Sequence, residues 1–258
     1  VTDAFYSKDD DLFHATALTS GPWDPRLQHG GPVSALMARA ADDLFDERWQ
    51  LTRITVDMLR PVPVAPLRTR ATIVREGRKV CHAQISLTDA AGKELFSARS
   101  LHVRREQVPG ALPPPTAPPR LPPEQCPVQV LPFPPDRVGY HTAMEVRRTT
   151  GRFRSGPVEA WFRMKVPLVA GTPTRGFERV LVATDAASGI SPVLDWGVHT
   201  FVNADLHVCL QREPRGEWVG VDARTDLGPD GVGLTHAVLR DELGRLGHSV
   251  QDLILGQR

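Results

Sequence analysis

Two short strings recur at a distance in this chain, and the residues that differ between their copies are the first candidates for chemistry. Thr55-Val56-Asp57 is matched by Asn203-Ala204-Asp205, and Ser97-Ala98-Arg99 by Ser249-Val250-Gln251. Thr55 therefore stands against Asn203, and Arg99 against Gln251. Asp57 and Asp205 are the same residue in both copies, which suits a carboxylate bonded to backbone in each. A third candidate is His29, which precedes Gly30-Gly31 where an apolar-periodic segment opens. Two glycines leave backbone N–H groups open to an anion or a developing oxyanion. The imidazole is a base, a ligand, or simply a hydrogen-bonding group at the start of a helix. There is no Gly-x-Ser-x-Gly elbow, and Ser188-Gly189 lacks the strand–turn context such a nucleophile requires.

The elements that must position these residues follow the same duplication. Val33, Leu36, Met37, Ala40, Ala41 and Leu44 fall on one helical face, with Pro32 in the first turn where its missing N–H costs nothing. The helix is predicted over 31–45. Strands are expected over 51–59, 67–74, 80–87 and 95–103, with hairpin signals at Glu76-Gly77 and Asp89-Ala90-Ala91-Gly92. In the second half, strands are expected over 140–146 and 158–166. A helical face, Phe177, Val180, Leu181, Thr184 and Ser188, comes next. Closing strands are expected over 199–210, 217–223, 232–240 and 248–255. Helix followed by antiparallel meander, twice over, is an α+β pattern. It describes a double hot-dog: two tandem antiparallel sheets, each wrapped around a central helix.

Twelve of the 24 prolines lie in residues 107–136, including Pro113-Pro114-Pro115, Pro118-Pro119 and Pro122-Pro123. That density removes backbone donors and favours extended polyproline geometry, as in a semi-rigid linker. The expected organisation is an N-terminal hot-dog over 1–106, a proline-rich linker over 107–136 and a C-terminal hot-dog over 137–258. A net charge of +1 sets up no global field favouring nucleic acid or a membrane surface. Cys81, Cys126 and Cys209 have neither metal nor redox spacing. With no signal segment at Val1-Thr2-Asp3 and no apolar run of spanning length, a cytoplasmic protein is expected. Trp23, Trp161, Trp196 and Trp218 are packing residues, one of which could line a tunnel.

Gln28-His29-Gly30-Gly31, Asp57 with Arg60-Pro61, Asp185, Asn203-Ala204-Asp205-Leu206-His207 and Ser249-Val250-Gln251-Asp252 together give a resemblance covering essentially the whole chain. The sequence resembles the type-II acyl-CoA thioesterases, the TesB-like double hot-dog family. The resemblance implies hydrolysis of a fatty acyl-CoA thioester to free acid and CoA, a role in lipid metabolism. In that family an aspartate, a threonine and a glutamine of the second hot-dog hold the attacking water. The aspartate carries over to Asp185 and the glutamine to Gln251. Asn203 stands in the threonine's place, where its amide offers both a donor and an acceptor.

Of these three, Asp185 alone is ionisable, so the base role falls to it. Gly30, Gly31 and His29 are the candidate oxyanion and substrate-binding group, serving either Asp185's cleft or a different one. The resemblance implies no metal and no cofactor beyond the CoA of the substrate, and a homo-oligomer, dimer or higher. One alternative is a non-catalytic acyl-CoA-binding hot-dog. A dehydratase on the same fold would need an Asp-x-Asn-x-x-His motif, of which Asp205-Leu206-His207 is only a fragment. A protein using its proline segment as bait is the third.

Overall fold

The computed structural model describes residues 3–110, 121–131 and 136–258. Its N-terminal half runs β1 (Tyr6–Asp9), β2 (Leu12–Ala15), α1 (Gly30–Asp42), β3 (Trp49–Asp57), β4 (Pro66–Glu76), β5 (Val80–Asp89) and β6 (Glu94–Arg104). The C-terminal half repeats the order. It has a helical turn α2 (Tyr140–Ala143), then β7 (Met144–Thr150), β8 (Val158–Met164), α3 (Gly176–Thr184) and α4 (Ala187–Ile190). Five strands close it: β9 (His199–Asn203), β10 (Asp205–Leu210), β11 (Trp218–Leu227), β12 (Val232–Asp241) and β13 (Gly244–Gln257).

The strands form one sheet in the order β1-β2-β4-β5-β6-β3-β10-β13-β12-β11-β8-β7, with β9 paired to β13. From the centre outward, β3-β6-β5-β4-β2 mirrors β10-β13-β12-β11-β8. The duplication is thus a fact of topology. The two copies are sewn together where β3 and β10 run antiparallel, Arg53 opposite Cys209 and Asp57 opposite Asp205. Alternation along the strands aims Ile54, Val56, Leu206 and Val208 inward, all fully buried.

That seam corrects the matching of the two copies. Asp57 and Asp205 are not equivalents but direct cross-strand neighbours, and Asp205 Oδ1 accepts from the Asp252 N–H at 2.8 Å. The strand expected over 199–210 is broken at Ala204, whose N–H and C=O bond Asp252 and Met58. The break shifts the register by one, which exchanges the faces of the sheet. Thr55 points outward, with Oγ1 2.7 Å from His207 Nδ1, and its equivalent is His207, not Asn203. Arg99 also points outward and donates to Gln84 at 3.0 Å, whereas Gln251 is fully buried. The first-copy residue at the level of Gln251 is the buried Ser100.

Other expectations shift locally. Tyr140 to Ala143, expected as strand, is a helical turn because Thr142 bonds the Gly139 N–H and carbonyl. The expected helix over 177–188 divides at Asp185, and its remainder is α4. Pro113-Pro114-Pro115 and Pro118-Pro119 lie outside the described residues. At the end of the same segment, Pro123–Gln125 forms a short turn and Val128 bridges to Arg147. The β1–β2 hairpin was not anticipated. It straps the halves together, with Phe5 and Tyr6 N–H groups donating to Pro167 and Leu168 of the second half.

Inside the curved sheet, α1 lies antiparallel along α3. Leu36, Met37, Val180 and Leu181 are fully buried there, each stabilising by about 1.5–3 kcal/mol. The contact is close because Gly31 faces backbone: a Cβ on it would lie 2.7 Å from the Val182 carbonyl oxygen. At the far end, Arg39 donates to the buried Glu178 at 2.8 Å, and Arg175 binds Asp42 and Asp43. Replacing Gly31 with alanine is expected to cost about 1–3 kcal/mol through overpacking, read as a lower urea midpoint with an unchanged slope.

Candidate active site

The antiparallel helices bring the start of α1 against the end of α3. His29 caps α1 and Asp185 caps α3, and His29 Nδ1 lies 2.8 Å from Asp185 Oδ2. Both are nearly enclosed, with side chains 10% and 4% exposed. A carboxylate at this place faces N–H groups that the first turn of α1 cannot satisfy internally. A Cβ on Gly30 would come within 3.0 Å of Asp185 Oδ2, so the carboxylate rests directly on that turn.

The His29 ring is held on several sides. The His29 backbone N–H donates to the Thr19 carbonyl at 2.7 Å, and the ring stacks on Tyr140 at 3.8 Å and 5°. The neighbouring Gln28 accepts from Tyr6 Oη at 2.6 Å and donates to the Pro63 carbonyl at 2.6 Å. Nδ1 lies 3.2 Å from the Gly31 N–H as well as 2.8 Å from the carboxylate. It cannot accept from one and donate to the other. The shorter contact, to an anionic acceptor, decides it: Nδ1 donates to Asp185 Oδ2. Tyr140 Oη donates to the Val182 carbonyl at 2.8 Å. Burial, then the Asp185 charge, hold its phenol well above the usual range.

On the other side, Asn203 Nδ2 donates to Asp185 Oδ1 at 2.7 Å and to the Asp185 carbonyl at 3.3 Å. Its Oδ1 accepts from Ser188 Oγ at 2.6 Å. Both ends of the amide are therefore committed to protein, and their effect is to fix the carboxylate plane. Gln251 Nε2 donates to the Asp185 carbonyl at 3.3 Å, leaving Oε1 buried with no hydrogen-bond partner among the described residues. An orphaned buried acceptor marks a place for a water.

A cavity of about 450 Å³ opens beside this cluster. Asp185, Asn203, His29, Gly30 and Ser188 line it; Gly31 and Gln251 do not, being packed behind. Gln28-His29-Gly30 and Asp185 thus serve one cleft. The remaining wall is apolar and includes Met58, Phe96, Leu131 and Ile190. Trp23 and Trp196, stacked at 4.8 Å, form its rim with Phe201 edge-on to both. Sequence reasoning missed Ser188 and Tyr140. Ser188 lies three residues beyond Asp185, a spacing that places two side chains on one helical side. No local signal marks Tyr140, which arrives through tertiary packing.

The opposite end of the helix pair is occupied by ion pairs. There Arg175 caps α3 where His29 caps α1, Asp43 caps α1 where Asp185 caps α3, and the two form an ion pair. Among the described residues no cluster of three or more His, Cys, Asp or Glu could hold a metal ion, and no helix is long and apolar enough to cross a membrane.

Comparison with known proteins fits this picture. Residues 19–103 match the model of the acyl-CoA thioesterase N-terminal domain, and residues 123–255 that of the C-terminal domain. No curated protein matches by sequence. Among solved structures, a protein of unknown function with a hot dog fold from Alicyclobacillus acidocaldarius superposes with a TM-score of 0.76 at 20% identity, covering 99% of each chain. Acyl-CoA thioesterase II TesB2 from Mycobacterium marinum gives 0.71 at 17% identity, covering 98% of this chain and 96% of its own. The tesB protein of Mycobacterium avium subs paratuberculosis gives 0.67 at 15%, covering 97% and 96%. With both domain models matched in order on a duplicated sheet around paired helices, the chain belongs to the TesB-like, double hot-dog family of acyl-CoA thioesterases.

Proposed function

We propose that this thioesterase hydrolyses a medium-chain acyl-CoA by direct attack of water at the Asp185 end of the cavity. The observation that carries the reading is the carboxylate of Asp185, buried and oriented by His29 and Asn203 on the wall of an apolar cavity. Each carboxylate oxygen accepts one of these bonds and retains a lone pair. A water against Asp185 loses a proton to the carboxylate as its oxygen attacks the thioester carbon. The Gly30 N–H, which has no intrahelical acceptor at the start of α1, is the donor for the carbonyl oxygen as it gains charge. Collapse of the tetrahedral intermediate breaks the C–S bond, the CoA thiolate takes the proton held by Asp185 as it leaves, and the acid departs. Gln251 acts from behind, by fixing the Asp185 backbone and offering Oε1 to the water shell.

Cavity size bears on the acyl group. At about 30 Å³ per water-sized group, 450 Å³ accommodates roughly fifteen non-hydrogen atoms. The thioester and the end of the pantetheine arm take several of these, leaving room for about eight to ten acyl carbons.

Thiol release from a panel of acyl-CoAs tests both points. Turnover is expected to peak in that middle range and to fall by about 10²–10⁴ in Asp185→Ala. No release from any member of the panel would refute the hydrolase reading in favour of an acyl-binding protein. Full activity in the variant would put the chemistry elsewhere. Asn203→Ala frees the carboxylate to rotate but keeps the base. Its kcat is expected to drop about ten- to a hundredfold, less than for Asp185→Ala, with KM little changed.

A further inference from the structure

A second cleft, of about 360 Å³, lies on the C-terminal half and is lined by Gln129, Val130, Arg148, Arg152, Phe153 and Arg154. Its charge is unbalanced. Among the described residues, none of its three guanidiniums lies within the 4 Å of a carboxylate that would make an ion pair. Neighbouring Arg147, by contrast, is paired to Glu145 at 2.7 Å. Arg148 is held by neutral acceptors, its Nε by Gln129 Oε1 at 3.3 Å and its Nη1 by the Gly151 carbonyl at 2.5 Å. These bonds orient the cation without neutralising it.

The cleft is also a built feature. Gly151 has φ +73°, and a Cβ there would sit 2.3 Å from the Pro157 carbonyl oxygen. Arg154 itself takes a left-handed backbone, φ 63°, uncommon for a residue with a side chain. That conformation ties the loop to the acyl cavity. The Arg154 N–H donates to the Ile190 carbonyl at 2.8 Å, and its guanidinium lies 5.7 Å from the centre of the Trp196 ring. Ile190 and Trp196 both line the cavity beside Asp185. The cationic cleft therefore adjoins the wall of the acyl cavity.

We propose that this cleft binds the phosphates of the CoA nucleotide, a proposal that rests on the acyl-CoA reading of the cavity. Guanidinium forks match phosphate oxygens in geometry and charge. Phe153 and Val130 add apolar surface in the same cleft for the adenine. The arrangement makes recognition bipartite: Asp185 and its partners handle the thioester, and Arg148, Arg152 and Arg154 select the carrier.

Paired thioesters test it, the same acyl group being presented on CoA and on pantetheine. The intact protein is expected to favour the CoA thioester through a lower KM. In the double variant Arg148→Glu, Arg152→Glu, the ratio of the two kcat/KM values falls at least about tenfold. Arg152→Ala, on the exposed loop, repeats the measurement with minimal risk to folding. Calorimetric titration with the adenosine bisphosphate portion of CoA shows binding to the intact protein and its loss in the variants. Equal kcat/KM for the two thioesters, an unaltered ratio in the variants, or preference for an acyl carrier protein would overturn the assignment. Failure of the hydrolase reading looks different. No thiol would be released from either thioester by the intact protein, while the nucleotide titration would still report on the cleft.

Discussion

Everything in this molecule that could do chemistry depends on the close antiparallel approach of α1 and α3. Gly31 lets the backbones come near enough that the cap of one helix touches the cap of the other. A side chain at that position would push Val182, and with it Asp185, away from His29. The sheet makes the approach possible, because the β3–β10 seam joins two curled halves whose central helices then lie side by side. Helix geometry does the rest. The start of one helix offers unsatisfied N–H groups, and the antiparallel partner ends there with a carboxylate.

Two ends of the helix pair could in principle host a site, and they have diverged. One has a histidine, two glycines and a buried carboxylate bordering a cavity. The other has arginines and acids that neutralise each other: Arg39 with Glu178, and Arg175 with Asp42 and Asp43. Burial pushes the Glu178 carboxyl up, and the nearby Arg39 acts against it. Removing either partner of the Arg39–Glu178 pair would leave a buried charge uncompensated, which ties that end to stability. The two ends thus differ: a carboxylate on a cavity wall at one, mutually neutralised charges at the other.

The fold was largely legible in the sequence because it rests on periodicity and repetition. The apolar face from Val33 to Ala41, the strand alternation and the hairpin turns are local signals, and they agree with the family resemblance. The register between the copies was not legible. A one-residue break at Ala204 exchanges inward for outward, so Thr55 was matched to a residue on the opposite face of the sheet, and the β12–β13 hairpin, one residue shorter than that of β5–β6, did the same for Arg99. Asp185, Asn203 and Gln251 were named through resemblance, and their convergence depends on pairings across more than sixty residues. Sequence could not reveal that Asn203 commits both ends of its amide to Asp185 and Ser188, or that Gly30 and His29 share that cleft. Such facts arise only when separate strands and helices are packed together.

The proposed place of the reacting thioester is one cavity, at the junction of the His29 and Asp185 caps. The most direct measurement is a crystal structure with a non-hydrolysable acyl-CoA analogue in which a methylene replaces the thioester sulfur, leaving a ketone. The carbonyl carbon is expected to face the Asp185 carboxylate, with the acyl chain between Met58, Phe96 and Trp196. An analogue bound with its carbonyl at the Arg175–Asp43 end, or on the outer face of the sheet near His207, would contradict it.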